Sequence, residues 1–400
     1  MLVIDRKYLP DLKWLVAALA LLVLFLIGLD RSLLFDVDEG AFTEATREML
    51  VSDDWGHTTL NGLDRFDKPI GVYWLQALSA SIFGVNEFAF RLPSALSGWM
   101  ASLVLARFAF FQWGRRAAIT AAIISATSLG PWAMARTATA DALLGLFFVL
   151  IFLDLWRALS SEGKWHARCV ALWVALGILV KGPVALLLPL GTTILYGIFV
   201  PESRLLVKKI MLDWVSWMIL MAVSLPWYLY AYLRHGQNFV DGFLLKHNVE
   251  RFMGSMEGHS GHWAYFRLFA FPLMIYLGSV LKYLFRNVEP VMEFSAASLG
   301  LIYIALLQAV ILSLVVLPWW SQTLQSPIKG LAQKHQADHS SIVQWGVHLP
   351  SFATYRQQES PRREPRPGEM ALVKNMKPYW PSDWEVIDVD GPLSIVKSPD

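Results

Sequence analysis

The sequence predicts an all-α polytopic membrane protein that carries a small extramembrane α/β domain at its C-terminus. Of its 400 residues, 55% are hydrophobic and only 16% are charged, whereas soluble domains carry about 25% charged residues. The apolar residues are concentrated in long runs, which is typical of transmembrane helices. Residues 321–400 differ, because they hold nine of the 20 prolines.

The first apolar run covers residues 14–29 and follows the basic residues Arg6, Lys7 and Lys13. No small-x-small cleavage site follows it, so we expect an uncleaved first span with a cytoplasmic N-terminus. Eight further runs bring the predicted total to nine spans. They cover residues 92–113, 117–135, 139–156, 166–180, 183–200, 211–230, 264–285 and 295–320.

The segment 70–85 decides the predicted topology. It is short and contains Gln76 and several serines. If it lies flat in the interface instead of spanning, most basic clusters between spans fall on the cytoplasmic side, which the positive-inside rule favours. These clusters include Arg115-Arg116, Arg157, Lys164, Arg168, Arg204, Lys208 and Lys209. The loops 30–91 and 231–263 and the C-terminal tail are then external.

The predicted division is a transmembrane domain at 1–320 and an external domain at 321–400. Within the tail, we expect a short amphipathic helix after Ser326-Pro327 and a loop from Arg356 to Gly368. Two alternating segments flank Asp390-Gly391 and predict a β-hairpin.

Charge and cysteine content exclude some classes of function. The net charge is +2, and no basic block with interleaved aromatic residues is present, so we expect no nucleic-acid partner. Cys169 is the single cysteine, so the chain forms no internal disulfide.

The first external loop holds the strongest candidate for chemistry. Asp38 and Glu39 open a segment with apolar residues at helical spacing. Carboxylates in a first helical turn also stabilise an ordinary amphipathic helix, which is the alternative interpretation. The position of the pair directly after a transmembrane segment favours a functional role.

A series of ordered motifs resembles the bacterial protein-mannosyltransferase-like glycosyltransferases, and in particular the undecaprenyl-phosphate aminoarabinose transferases that modify lipid A. The resemblance covers about residues 12–265, with a weaker echo at His348–Phe352 and Tyr355. The motifs are Asp38-Glu39, Arg47-Glu48-Met49-Leu50, Asp54-Trp55, Leu60-Asn61-Gly62, Phe66-Asp67-Lys68-Pro69, Tyr73-Trp74-Leu75, Arg91-Leu92-Pro93-Ser94, Ala135-Arg136-Thr137 with Asp141, Lys181-Gly182-Pro183, Pro226-Trp227-Tyr228, Phe243–Phe252 and Gly258–Gly261.

This resemblance implies a GT-C fold and transfer of a sugar from a polyprenyl-phosphate donor to an envelope glycolipid or a protein hydroxyl. It also implies roles for individual residues. Asp38 is the first candidate base, with Glu39 beside it and Asp141 as a further carboxylate. Lys68 with Asp67, Arg136 and Lys181 would bind the substrate phosphate.

Each of these assignments has a plainer alternative. Lys68 could extend along the lipid interface to water without binding a ligand. Arg136, Asp141 and Lys181 lie at span ends, where a charge can simply mark the membrane boundary. Their convergence on one face with the Asp38 loop favours function.

A divalent metal is possible at the second external loop, although no cofactor is required by the sequence. His259 and His262 stand three residues apart with Glu250 nearby. A solvated loop with two histidines is the alternative. No Gly-rich phosphate loop or nucleotide-sugar motif is found, which agrees with a lipid-linked donor.

Two departures from the family pattern keep other functions open. Ala41 and Phe42 replace a familiar arginine and tyrosine, and only two predicted spans follow residue 265. A shortened and catalytically impaired relative is therefore one alternative. A lipid or sugar-lipid transporter is another, although transporters place their charged residues near the bilayer midplane.

Overall fold

The computed structural model describes residues 12–161, 163–250, 296–375, 380–381 and 383–399. It is mostly helical over the first 250 residues. The helices and strands there are α1 Leu12–Leu26, α2 Asp38–Ser52, β1 Thr59–Leu60, β2 Leu63–Asp64, α3 Gly71–Phe83, α4 Glu87–Thr127, α5 Leu129–Met134, α6 Asp141–Ser161, α7 Lys164–Lys181, α8 Val184–Phe199, α9 Arg204–Met211, α10 Trp214–His235 and α11 Gln237–Phe239, which continues as the π-helical Val240–Glu250.

The predicted spans of the described part correspond to these helices. The predicted break between the runs 92–113 and 117–135 coincides with Gly114, which divides the 41 residues of α4 into two helical segments, and the second run continues into α5. Gly114 interrupts α4, because its φ of 83° and ψ of −173° are not helical. Glycine reaches a positive φ without the clash that a Cβ would cause. The predicted span at 264–285 lies outside the described residues.

Apolar helices make the chain a multi-pass membrane protein. Four helices of the described part have the length and hydropathy to cross a membrane, and the bent pair formed by α8 and the segment Pro201–Met211 gives a possible fifth. The angle in that pair is 117°. Helix α3 has 13 residues, which gives about 20 Å, less than the hydrocarbon core of about 30 Å. This length agrees with the prediction that residues 70–85 do not span.

Helices α6 and α7 separate two sets of charges. Asp141 begins α6 and Lys181 ends α7, whereas Arg157 and Lys164 lie at the connection between the two helices. The 21 residues of α6 give a length of about 30 Å. The candidate site residues and the basic residues of the connection therefore lie at opposite ends of the same helix pair.

The last membrane segment continues into the C-terminal region without a break in the helix. Helix α12 covers Ala296–Ile311, a π-helical turn follows at Leu312–Val316, and α13 covers Leu317–Lys334. The prediction that a helix begins after Pro327 was wrong, because α13 passes through that proline. Buried Ser321, Gln325, Ile328 and Leu331 follow helical spacing on both sides of it, so packing outweighs the local preference of proline. The predicted boundary at 320/321 falls inside α13.

A four-stranded sheet forms the C-terminal unit. Its strands are β3 Ile342–Gln344, β4 Met370–Lys374, β5 Glu385–Asp390 and β6 Leu393–Lys397, in the order β3-β4-β6-β5. Strand β3 is parallel to β4, and the other pairs are antiparallel. The predicted hairpin is confirmed, since Asp390 pairs with Leu393. Helix α14, Pro350–Arg356, packs through Phe352 into a core with α13 and the sheet.

Helix α14 also binds the first loop. Asp36 accepts hydrogen bonds from the backbone N–H of Ser351, at 2.9 Å, and from the Ser351 hydroxyl. The Tyr355 hydroxyl accepts a bond of 2.7 Å from the backbone N–H of Leu34. Glu87 pairs with Lys329 at 2.7 Å. The acidic loop is thus held between the membrane helices and the C-terminal unit.

Candidate active site

Glu39 is a buried structural centre of the acidic loop. Its carboxylate receives two hydrogen bonds from the Arg91 guanidinium, both of 2.8 Å. It also accepts bonds from the backbone N–H groups of Phe35, at 2.9 Å, and Ala138, at 2.7 Å. Arg91 in turn donates to the carbonyls of the loop segment that precedes α2. Glu39 was predicted to be a catalytic residue. In the structure both of its carboxylate oxygens accept hydrogen bonds from Arg91 and from backbone N–H groups.

Asp38 differs from its neighbour because its side chain is exposed. It begins α2 and interacts electrostatically with the guanidinium of Arg65. Arg65 also lies over the Phe42 ring, with 5.7 Å from Cζ to the ring centroid. Phe42 stacks on Tyr73 with a centroid distance of 5.5 Å. The residue that replaces the family's tyrosine therefore supports the cation beside Asp38.

Three charges gather in the segment Arg65-Phe66-Asp67-Lys68. Asp67 receives a bond of 3.0 Å from Nη2 of Arg65 and one of 2.6 Å from Nζ of Lys68. Arg65 also donates from Nε to the Tyr73 hydroxyl at 3.1 Å. Arg65 was not among the site residues predicted from the sequence, although it stands only two residues before Asp67.

A second ion pair joins Asp141, at the start of α6, to Lys181, at the end of α7. The start of α3 packs tightly on the end of α7, because a Cβ at Gly71 would lie 2.8 Å from the carbonyl oxygen of Leu179. Lys68 stands three residues before Gly71, and Lys181 stands two residues after Leu179. The structure therefore brings the chain segments that carry the Asp67–Lys68 and Asp141–Lys181 pairs into contact near these residues.

Arg136 has a different set of partners from the other predicted phosphate ligands. It is buried, and its guanidinium donates to the carbonyls of Leu24, at 2.7 Å, and Phe25, at 3.0 Å. It also bonds the Ser313 hydroxyl at 2.8 Å. These contacts join α1 to the π-helical turn that follows α12. They would have to open before Arg136 could bind a phosphate.

Helix α2 also carries a buried ion pair and a carboxylate that fixes the hairpin β1–β2. Glu44 pairs with Arg47 at 2.7 Å, and burial raises the pKa of Glu44 to about 7. Glu48 accepts hydrogen bonds from the Thr59 hydroxyl and from the N–H groups of Asn61 and Gly62. The hairpin is therefore held to the helix that begins with Asp38.

The predicted metal ligands cannot be compared with the structure. His259 and His262 lie outside the described residues, as does the side chain of Glu250. The described part of the chain contains a different cluster of metal-ligating types, formed by His57, Asp64 and His235. Nε2 of His57 lies 3.0 Å from Asp64, and Nδ1 of His235 lies 3.5 Å from the other oxygen of the same carboxylate.

Comparison with known proteins supports the resemblance found in the sequence. Residues 67–230 match the family model described as dolichyl-phosphate-mannose-protein mannosyltransferase. The undecaprenyl phosphate-alpha-4-amino-4-deoxy-L-arabinose arabinosyl transferase of Aeromonas salmonicida is 28% identical over 260 residues, which are 64% of this chain and 46% of that protein. A Pseudomonas fluorescens protein with the same activity in its name is 29% identical, over 60% of this chain and 42% of its own length.

The resemblance to this family of glycosyltransferases is confirmed. The chain spans about half the length of the curated relatives it matches.

Solved structures agree on the fold. The crystal structure of ArnT from Cupriavidus metallidurans bound to undecaprenyl phosphate superposes with a TM-score of 0.77 at 16% identity, covering 97% of this chain and 98% of that one. Its apo state gives 0.72, with 96% and 98% covered. The predicted GT-C fold, with a small C-terminal sheet, is therefore confirmed.

Proposed function

We propose that the protein is a membrane glycosyltransferase that moves a sugar from a polyprenyl-phosphate donor to an envelope acceptor. The acceptor is a lipid A-like glycolipid or a protein hydroxyl, and the reaction takes place at the outer face of the cytoplasmic membrane. In this orientation the N-terminus is cytoplasmic, and the Asp38 loop and the C-terminal unit are external. The relatives named for an undecaprenyl phosphate sugar substrate support the class of donor.

The observation that carries the proposal is the exposed carboxylate of Asp38 beside the cations of the first loop. When an acceptor oxygen attacks the anomeric carbon, the bond from that carbon to the phosphate oxygen breaks. The phosphate leaves with the electron pair. Asp38 takes the proton of an acceptor hydroxyl, which requires hydrogen-bond reach. An acceptor phosphate would already be ionised, so Asp38 would then only orient it.

The cations near Asp38 would assist the departure of the lipid phosphate. A leaving phosphate gains negative charge, and fixed cations stabilise that charge most effectively in a site with little water. We assign this role to Lys68 and Lys181, and add Arg65. Asp67 and Asp141 orient these cations through their ion pairs. Arg136 remains a phosphate ligand in this proposal only if it exchanges its carbonyl partners for the donor.

Glu39 acts as a positioning residue in this scheme. Its carboxylate fixes Arg91 and the backbone that leads into α2. The side chain of Asp38 then starts from a rigid helix N-terminus, which lowers the entropy cost of orienting it.

A transfer assay with the purified full chain tests the proposal. The donor is undecaprenyl phosphate carrying labelled aminoarabinose or mannose, and the acceptors are lipid A and a Ser/Thr peptide. We expect transfer by the wild type and a loss of about 100-fold or more in Asp38→Asn, because general-base catalysis contributes about 10² to 10⁴ in rate. Asp30→Asn, at an exposed aspartate of the same loop, is the matched control.

Other outcomes of the assay would favour one of the two alternative functions, an impaired relative or a transporter. Donor binding without transfer to either acceptor would favour an impaired relative. Movement of the labelled lipid between leaflets of a proteoliposome without chemical transfer would favour a transporter. Unchanged transfer in Asp38→Asn would remove Asp38 from the mechanism.

A further inference from the structure

The cluster of His57, Asp64 and His235 joins two distant parts of the chain. His57 precedes β1, Asp64 ends β2, and His235 ends α10. The two imidazole rings lie 4.2 Å apart between centroids. One nitrogen of each ring and one oxygen of Asp64 lie within 4.8 Å of one another. Three potential ligand atoms therefore already lie close together.

We propose that these three residues form a binding site for a zinc ion. Two imidazoles and one carboxylate are a ligand set that Zn²⁺ accepts, and a fourth position remains for water. In a tetrahedral site with bonds of 2.0–2.1 Å, ligand atoms are roughly 3.3 Å apart. Nε2 of His57 lies 3.0 Å from one oxygen of Asp64 and Nδ1 of His235 lies 3.5 Å from the other, so both contacts are close to that spacing. Mg²⁺ and Ca²⁺ fit less well because they prefer oxygen ligands.

The charges around the cluster favour a cation. Asp64 supplies a carboxylate, and its side chain is half exposed, which leaves a path for an ion to enter from solvent. Asp54 also acts electrostatically on both histidines. Arg234 acts on His235 with the opposite sign, and it is paired with Asp54 at 2.6 Å. The arrangement therefore holds a net negative charge when both imidazoles are neutral.

Hydrogen bonding leaves the His235 ring able to bind a metal. Its Nδ1 faces Asp64 at 3.5 Å, which is longer than a good hydrogen bond. Its Nε2 is buried and has no hydrogen-bond partner among the described residues. No strong hydrogen bond thus holds the proton on Nδ1, so the tautomer that offers Nδ1 to a metal is accessible.

A metal at this position would fix the loop that carries the site cations. Phe66 packs against both imidazoles, with centroid distances of 6.0 Å to His57 and 5.2 Å to His235. Asp67 and Lys68 follow Phe66 directly. The ion would clamp β1–β2 to the end of α10 and so limit the movement of these charges. The zinc site can be tested without the proposed transfer reaction, because the measurement is the amount of metal that the protein binds.

Zinc content of the full chain tests the inference. The purified protein is stripped with a chelator, dialysed against micromolar zinc and analysed by mass spectrometry of the metal. We expect one equivalent in the wild type, and affinity weakened more than about 100-fold in His57→Ala, His235→Ala and Asp64→Asn, since even changes outside the ligand shell cost 10–100-fold. His339→Ala, at an exposed histidine of the tail, should retain the metal.

Two further measurements on the wild type test the zinc site even if a variant folds poorly. Cobalt replacement in the wild type should give the intense visible bands of a four-coordinate site, and zinc should raise the unfolding temperature of the wild type. The conservative variant His57→Gln should lose both signatures. A wild type that takes up no zinc overturns the inference. So does a zinc equivalent that is lost in His259→Ala and kept in His57→Ala.

Discussion

At the residue scale, the two adjacent carboxylates Asp38 and Glu39 have different environments. Glu39 and Arg91 form an ion pair in which the side chains are only 2% and 1% exposed. A buried pair of this kind contributes little relative to an apolar pair, yet removal of one charge leaves the other unpaired in the interior. Glu39 is therefore expected to act through stability more than through chemistry.

Glu39→Gln should lower the free energy of unfolding by about 3–5 kcal/mol, because the Arg91 charge would remain buried without a counter-charge. Thermal unfolding of the detergent-purified protein measures the change. Glu202→Gln, at an exposed glutamate after α8, is the control and should have no effect. Equal stability of the two variants would contradict the structural role of Glu39.

At the element scale, the hairpin β1–β2 depends on its turn. Asn61 and Gly62 both have positive φ values, 54° and 75°, as the type I′ turn of a two-residue hairpin requires. The turn brings Thr59 opposite Asp64. It therefore sets the position of the carboxylate in the proposed zinc site.

Gly62→Ala should destabilise the protein by about 1–2 kcal/mol, since a residue with a Cβ pays that cost in the left-handed region. A Cβ there would also approach within 2.8 Å of a Glu359 side-chain oxygen. Denaturation curves measure the effect. Gly130→Ala is the matched control, because no atom of the described residues lies within 4 Å of a Cβ added at Gly130 and its φ is not positive. Equal stability of both variants would contradict this account of the turn.

Prediction from sequence succeeded where the signal was local. The Asp390-Gly391 hairpin and most apolar helices follow from short-range patterns, and Asp67 and Lys68 are neighbours in one motif. The prediction at Pro327 was wrong because tertiary packing of α13 outweighs the local preference. Arg91 was given no site role, since its pairing with Glu39 joins residues 52 positions apart. His235 was missed for the same reason.

At the scale of the whole molecule, the C-terminal unit and the membrane helices share the first loop. The contact between Asp36 and Ser351 is partly buried, and burial raises the pKa of Asp36 from its ordinary 3.8 to about 7, opposed by the hydrogen bonds from Ser351. Between these two pH values the folded chain holds a proton that the unfolded chain has released. Stability conferred by this group therefore falls as pH rises from about 4 to 7.

Asp36→Asn should flatten this dependence while it keeps an acceptor for the Ser351 N–H. In the wild type, each pH unit in the window costs up to about 1.4 kcal/mol of folding free energy through this group. Unfolding temperatures at pH 5, 6 and 7 would measure the slope, with Asp30→Asn as the control. Glu44 has a pKa shifted in the same direction, so part of the slope should persist. A variant with the full wild-type slope would contradict the assignment to Asp36.

The hydrogen bonds between Asp36 and Ser351 also have a consequence for synthesis of the chain. The two residues are 315 positions apart. At the usual ribosomal rate of about 5–20 residues per second, roughly 15–60 seconds separate their appearance. During that interval the Asp36 carboxylate cannot bind Ser351, because that residue has not yet been synthesised. The membrane helices can insert in order, but the first loop reaches its final form only after translation has reached α14.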